Sequence, residues 1–125
     1  MTTISEAVRH FSSNASLTVV PPQDIARVRR SHPGIPADYL FFLENAGFGN
    51  LGSISLYSGP VSAVEVYPVA ECGLDAVVLI GDDFQGYCLG FDRNCDWRVV
   101  EVDPRGEVSD PIESTFTSLL GGYIE

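Results

Sequence analysis

The spacing that most closely matches a metal site begins at Asp92, in the run Asp-Arg-Asn-Cys-Asp. Asp92 and Asp96 stand at the first and fifth positions of an EF-hand calcium loop, and Asp103 falls at the twelfth. The sixth position is Trp97, however, where the sharp turn of such a loop requires glycine, and the twelfth is normally a bidentate glutamate. The flanking segments also alternate like strands rather than helices. We therefore expect a solvated hairpin turn and no metal ion.

Two arrangements of ionisable residues could supply acid–base chemistry. Asp82 and Asp83 are adjacent carboxylates, but glycines stand on either side of them, and this composition is typical of a turn. His10 and His32 could act as bases. Each histidine lies near arginines, and neither occurs with a nucleophile elbow or a second metal ligand. We expect both histidines at the surface and no catalytic residues.

The glycines and cysteines also lack the context that their chemistry would need. The run that starts at Gly47 has G-x-G-x-x-G spacing, but it follows a predicted helix and precedes a predicted strand, the reverse of a dinucleotide-binding turn. Cys72, Cys88 and Cys95 are odd in number and lack C-x-x-C spacing, so we expect reduced thiols in or near strands. The sequence therefore predicts that the protein is not an enzyme and has no cofactor.

The acidic charge is the most informative global property. The chain of 125 residues has a formal net charge of -10, and residues 1–50 contain equal numbers of acids and arginines. The whole excess therefore lies in residues 51–125. Such a field repels the phosphate backbone of nucleic acids and attracts basic proteins. We expect no nucleic-acid partner; the alternative reading is that the acids only keep the protein soluble.

Helical periodicity dominates the first third of the chain. Apolar residues at helical spacing predict a short helix near residues 4–12. Asp24 offers an N-cap for a second helix that carries Ile25 and Val28 and ends at Pro33. Three arginines of this helix, at 27, 29 and 30, are expected to lie on its exposed side.

The third helix has the clearest pattern. Pro36 is expected at its first position and Gly47 just beyond its end, in the C′ position. The apolar residues between them are spaced for one helix face, so the helix is expected to be buried against a sheet. These residues are Tyr39, Phe42, Leu43 and Ala46.

The period then changes to that of strands. Alternating residues predict two strands around Ile54–Leu56 and Val64–Val66, on either side of a break at Ser58-Gly59-Pro60. The apolar run Val77–Ile80 suits a central strand buried on both faces. Two further strands are predicted at 87–91 and 97–102.

A closing helix is predicted near the C-terminus, with Ser114 as its cap and Ile112 and Phe116 on its apolar face. Helices followed by strands and a last helix, without βαβ alternation, indicate an α+β fold. We expect a mainly antiparallel twisted sheet, with N-terminal helices packed on it and a C-terminal closing helix. Hydrophobic residues make up 45% of the chain, so residues 1–125 are expected to form a single domain. The core should include Tyr39, Phe42, Leu43, Val78, Ile80 and Phe116.

The sequence predicts a cytoplasmic protein that does not contact a membrane. The N-terminus lacks the basic and apolar regions of a secretory signal. No stretch approaches the roughly 20 apolar residues of a membrane span.

Three segments together resemble the SUKH superfamily. Ile35–Gly47, with the letters IPADYLFFLENAG, is similar to a helix of that superfamily that begins at a proline and ends at a glycine corner. Ile80–Asp92 resembles its second landmark, an apolar strand, a Gly/Asp turn and another strand, and Thr115–Leu120 resembles its late helix. The resemblance covers residues 20–121. Ala46 is a departure, because the superfamily usually has glycine there.

The resemblance implies a binding protein. Bacterial members are typically immunity proteins that neutralise toxin domains, often nucleases, and fungal members regulate cell-wall assembly. We therefore expect an acidic surface that binds a basic toxin domain, with a regulatory or scaffold module for an endogenous partner as the alternative. Exposed aromatics such as Tyr57, Tyr67, Phe84 or Trp97 are expected to anchor the contact. The candidate partner-binding residues are Glu65, Asp82, Asp83, Asp92, Asp96, Glu101, Tyr67, Phe84 and Trp97.

Overall fold

Helices flank an antiparallel sheet in a computed structural model of the chain, which describes residues 2–67 and 73–124. Within those ranges the α-helices are α1 (Ile4–Asn14), α2 (Pro22–Ser31), α3 (Ala37–Asn45), α4 (Ala63–Val66) and α5 (Phe116–Gly121). The strands are β1 (Gly49–Asn50), β2 (Ser55–Ser62), β3 (Val77–Asp82), β4 (Cys88–Asp92) and β5 (Arg98–Val102). Short 3-10 helices precede β3 and follow β4.

The strands lie in the sheet in the order in which they occur along the chain. Each pairs antiparallel with the next, from β1 to β5. The outer edge of β5 is covered by the segment that follows it, through bridges from Val99 to Glu113 and from Val102 to Val108. This architecture confirms the predicted α+β fold with an antiparallel sheet.

One face of the sheet packs against α1, α2, α3 and α5. Its core contains an aromatic cluster in which Tyr39 of α3 contacts Phe91 and Phe116 edge to face, with ring centroids 5.4 and 5.2 Å apart. Phe42 contacts Phe116 in the same way at 5.6 Å. Edge-to-face pairs at these distances add stability beyond the area they bury. The predicted core is confirmed, because all six residues expected inside are buried.

The end of α3 explains the role of Gly47. Ala46 has right-handed helical angles and caps the helix, so this position does not require glycine. Gly47 has φ +110°, and its N–H donates to the Phe42 carbonyl at 2.9 Å, as predicted for a C′ residue. A Cβ at Gly47 would overlap the backbone of Thr18. The corner therefore requires glycine for both its angles and its space.

A second, smaller core covers the other face of the sheet. Val77 and Leu79 of β3 pack there with residues of α4 and β5, while Val78 and Ile80 point into the first core. The prediction that 77–80 forms a strand buried on both faces is confirmed. Tyr67 also belongs to this second core.

The predicted strand at Val64–Val66 is wrong. Both valines lie in α4 with 47% of each residue exposed, and β2 instead continues through Pro60 to Ser62. Leu56 lies opposite Gly81, whereas Val61 lies opposite Leu79. The residues between them therefore bulge out of the ladder, and the missing N–H of Pro60 removes no ladder hydrogen bond.

Two predicted helix caps are also wrong. Pro21 caps α2 and Pro22 occupies its first position, so Asp24 lies inside the first turn, where it pairs with Arg27 at 3.2 Å. At the closing helix, Thr115 replaces Ser114 as the cap, and its hydroxyl accepts from the Ser118 N–H at 3.0 Å.

The closing helix is shorter than the sequence predicted, since Ile112 lies before it and is exposed. Pro36 caps α3 and precedes its first residue by one position. Within residues 2–67 and 73–124, no helix combines the length and apolar character that a bilayer crossing requires.

Candidate functional site

A groove opens on the second face of the sheet, beside α4 and the turn that joins β3 to β4. It has a volume of about 470 Å³. We call it the Asp82 groove, after the acidic residue that lines it. Its lining includes Tyr57, Val66, Tyr67, Asp82, Phe84 and Cys88.

Strand pairing brings the polar groups of the groove together. Asp82 ends β3 and lies opposite Cys88, the first residue of β4, while β2 carries Tyr57 along the other side of β3. The Tyr57 hydroxyl donates to Asp82 Oδ2 at 2.8 Å, and the Phe84 N–H donates to Asp82 Oδ1 at 3.1 Å. Each carboxylate oxygen is thus held by one donor, which fixes the orientation of Asp82.

Two tyrosines and a cysteine form the floor of the groove. Cys88 is buried, and its Sγ lies 4.0 Å from the Tyr57 hydroxyl. The Tyr67 hydroxyl donates to the Val102 carbonyl at 3.4 Å. Burial, together with the hydrogen bond to Asp82, raises the pKa of Tyr57, and burial raises the pKa of Tyr67. Both hydroxyls therefore stay neutral donors far above neutral pH.

Exposed apolar side chains border this polar centre. Phe84 is 59% exposed and Val66 is 47% exposed. Phe84 also has φ +66°, a left-handed conformation that is an outlier for a bulky residue. The turn that presents it is held by Asp83, whose Oδ1 accepts from the N–H groups of Gln85 and Tyr87 at 2.9 and 3.2 Å. An exposed aromatic on a firmly held turn is suited to contact another molecule.

The charge around the groove is negative. Among the described residues, none of the ion pairs involves Asp82, Asp83 or Glu65. Arg105, which follows the groove residue Pro104, lies 3.8 Å from both Asp103 and Glu107. That pairing leaves the acids of the groove without a cation of their own within residues 2–67 and 73–124.

Five of the nine candidate partner-binding residues lie in or near the Asp82 groove. Asp82, Phe84 and Tyr67 line it, and Asp83 holds its turn. Glu65 is exposed on α4, next to the groove residue Val66. Tyr67 was expected to be exposed, and that expectation is wrong: only 9% of it is accessible, because its ring belongs to the second core.

The other four candidates lie elsewhere. Asp92 lies at the far end of β4, opposite Arg98 of β5 in the strand register. At roughly 3.3 Å per residue, this position is about 13 Å along the strand from Cys88. Asp96 lies in the turn beyond it. Glu101 is half-buried on β5, and Trp97 packs on Phe91 and against Gly34, so it is not a free anchor.

Among the residues that line the groove, Val66 and Cys88 were not predicted as site residues from the sequence. Val66 was assigned to a strand, and Cys88 was considered only as a thiol. Nothing in the local pattern marks either one, because the groove forms only when α4 and the β3–β4 turn meet across the sheet. Tyr57 was expected among the exposed anchors, and its hydroxyl instead orients Asp82.

The segment that resembled a calcium loop is a capped turn. The side chain of Asp92 accepts from the Asn94 N–H at 2.9 Å, and Asp96 and Trp97 have φ of +55° and +58°. Trp97 thus adopts the left-handed conformation without glycine. Within 2–67 and 73–124 there is no group of three or more His, Cys, Asp or Glu residues placed to hold a metal ion.

The histidines lie away from the groove thiol. His10 stacks edge to face on Phe11 at 4.9 Å. Partial burial and the nearby Arg93 lower the pKa of His32. Of the remaining cysteines, Cys95 lies in the turn after β4 and Cys72 lies outside the described residues.

No protein-family model matches this chain, and a search of curated proteins found no match.

Proposed function

We propose that this chain is an immunity protein of the SUKH type, which binds a basic toxin domain in the cytoplasm and neutralises it through its acidic surface. Nuclease toxins are the leading class of partner, because a nuclease needs a basic surface to hold its phosphate backbone, and an acidic protein can cover that surface. The chain would act by binding alone, without a catalytic residue or a cofactor, and would bind neither nucleic acid nor membranes.

The observation that carries this proposal is the separation of charge in the fold. The exposed arginines of α2 lie on the helix-covered side of the sheet, since Ile25 of that helix belongs to the first core. The acids without an ion-pair partner among the described residues include Asp82, which lines the Asp82 groove on the other side. A basic partner is therefore drawn to one side of the molecule.

The arrangement of the three family-like segments also supports the proposal. Ile35–Gly47 forms α3 and its glycine corner, and Ile80–Asp92 forms the β3–turn–β4 unit that presents Phe84. Phe116 of the third segment packs on Phe42 and Tyr39. The segments that carry the resemblance thus build one core and place the turn at the groove.

The proposal is tested with the purified products of the genes next to this one. We expect a basic toxin domain among them to bind the chain, with an association rate that falls as salt rises, and to lose its activity in the complex. Replacing acids in pairs, such as Asp82 with Asp83, by Asn should slow association and weaken its salt dependence. Because Asn keeps an acceptor oxygen for the N–H groups that these side chains hold, the melting temperature should stay nearly constant.

Three outcomes would contradict the proposal in different ways. If no neighbouring product binds, the immunity function is wrong. If a product binds but keeps its activity, the chain is a regulatory or scaffold module. If every acid pair binds like wild type at low and high salt while changes at Arg27, Arg29 or Arg30 abolish binding, the partner uses α2 and the acidic excess serves solubility alone.

A further inference from the structure

We infer that the Asp82 groove receives an arginine side chain of the basic partner, with the guanidinium on the Asp82 carboxylate and against the Phe84 ring. This inference rests on the proposed function and adds to it the place of contact and the side chain that fills it.

The Asp82 carboxylate is held in a fixed orientation and keeps free acceptor positions for a planar donor. Asp82 Oδ2 accepts from the Tyr57 hydroxyl and Oδ1 from the Phe84 N–H, one bond to each oxygen. A carboxylate oxygen can accept about two hydrogen bonds, so one position on each oxygen remains free. Two free positions on one fixed carboxylate match the paired N–H groups of a guanidinium, which binds such groups with two parallel hydrogen bonds.

The apolar border fits the rest of an arginine side chain. Guanidinium groups stack on aromatic rings, and the 59% exposure of Phe84 leaves its ring available at the edge of the groove. The methylene stem of an arginine can lie along an apolar surface, which Val66 provides with 47% exposure. A lysine would offer a point charge without the planar fork, so the groove favours arginine.

The charge of the groove decides between a cationic and an apolar occupant. An apolar group over Asp82 would bury its carboxylate, and that carboxylate has no cation among the described residues. Burying an unpaired charge is costly, whereas a guanidinium pairs with it and keeps it hydrogen-bonded. The Tyr57 hydroxyl stays protonated because burial raises its pKa, so it adds a donor and no competing charge.

The experiment needs no knowledge of the partner. The probe is a blocked Ala-Arg-Ala tripeptide, and its control is the same peptide with neutral citrulline in place of arginine. Amide resonances of this chain are followed by NMR during titration with each peptide. We expect the arginine peptide to shift the resonances of Phe84, Gln85 and Tyr87 saturably, with a dissociation constant at least tenfold lower than that of the citrulline peptide.

Two variants and one matched control locate the contact. Asp82→Asn keeps an acceptor for the Phe84 N–H and removes the charge, and Phe84→Gly removes the ring at a residue whose φ suits glycine. Each variant should raise the dissociation constant of the arginine peptide at least tenfold. Asp96→Asn makes the same chemical change in the exposed turn at the far end of β4, and it should leave the dissociation constant within about twofold. Melting temperatures of the three variants confirm that they fold.

Three results would overturn the inference: no shift at Phe84, equal affinity for the two peptides, or equal weakening by Asp82→Asn and Asp96→Asn. The same variants, measured against the toxin domain of the neighbouring gene, separate this inference from the proposed function. If the toxin binds wild type, Asp82→Asn and Phe84→Gly equally well, the groove inference is wrong and the immunity function stands. If the arginine peptide behaves as expected but no neighbouring product binds, the immunity function is wrong and the groove site stands.

Discussion

The left-handed backbone at Phe84 yields a test that isolates strain from side-chain contacts. Both Phe84→Ala and Phe84→Gly remove the ring, so the difference between these two variants reports the backbone alone. At an ordinary position alanine is more stable than glycine by about 0.4–1 kcal/mol, because glycine gives the unfolded chain more freedom. A Cβ in the left-handed region costs about 1–2 kcal/mol. With φ +66° at Phe84, we expect the order to reverse, with glycine more stable than alanine by about 1 kcal/mol.

The assay is chemical unfolding in urea, analysed by linear extrapolation with equal slopes for the two variants. Gln85 provides the matched control pair, since it is the exposed neighbour of Phe84 and is not among the residues with positive φ. There Gln85→Ala should be more stable than Gln85→Gly. If alanine is at least as stable as glycine at Phe84 as well, the backbone is not strained, and the reasoning that links this turn to binding loses its support.

Four further outcomes follow from the core and the turns. Phe42→Ala should lower the free energy of unfolding by about 3–5 kcal/mol in urea, because Phe42 is fully buried in the aromatic cluster. Tyr39→Phe should raise it by about 1–3 kcal/mol, since the buried Tyr39 hydroxyl has no hydrogen-bond partner among the described residues. Burial raises the pKa of Tyr39, so the tyrosinate forms first in the unfolded chain: the free energy of unfolding has its full value below the unfolded pKa of about 10 and falls as the pH rises from there towards the folded pKa. The free energy of unfolding can be measured from pH 8, about two units below that unfolded pKa, to higher pH. It should fall less steeply with pH for Tyr39→Phe than for wild type. Added calcium at sub-millimolar concentration should leave the melting temperature unchanged, because the Asp92 side chain already caps its own turn; a rise would show a calcium site.

The parts of the fold that the sequence predicted are those encoded by local pattern. The apolar spacing of α3 and the run Val77–Ile80 each specify which face is buried, and both were assigned correctly. Gly47 was predictable because it follows the end of the helical pattern, where the chain takes a positive φ that favours glycine. In each case neighbours in sequence decide the outcome, so a single sequence contains enough information.

The errors occur where tertiary contacts override the local pattern. Val64 and Val66 alternate with polar residues as a strand would, yet the bulge in β2 lets that strand run to Ser62, and the valines fall in a single helical turn. Tyr67 looked like a surface aromatic, but its position after α4 directs its ring into the second core. Neither outcome depends on residues close in sequence, since β3 and β5 supply the contacts.

The candidate site depends on contacts even more remote in the chain. Asp82 and Phe84 could be placed in a turn by their glycines, but the bond from Tyr57 to Asp82 joins residues 25 positions apart. The acids were identified by charge alone, and charge does not distinguish Asp82, which lines the groove, from Asp96, exposed in a turn.

Residues that build the core obey local rules, whereas residues of a site often violate them, because evolution keeps a violation only when it is compensated elsewhere. The Asp82 groove concentrates such violations: an exposed phenylalanine at positive φ and a carboxylate without a cation among the described residues. Neither feature stabilises the free protein, and one occupant relieves both, since a guanidinium pairs with the carboxylate and covers the ring. The exposed ring of Phe84 and the charge of Asp82, unpaired among the described residues, therefore point to the same partner chemistry.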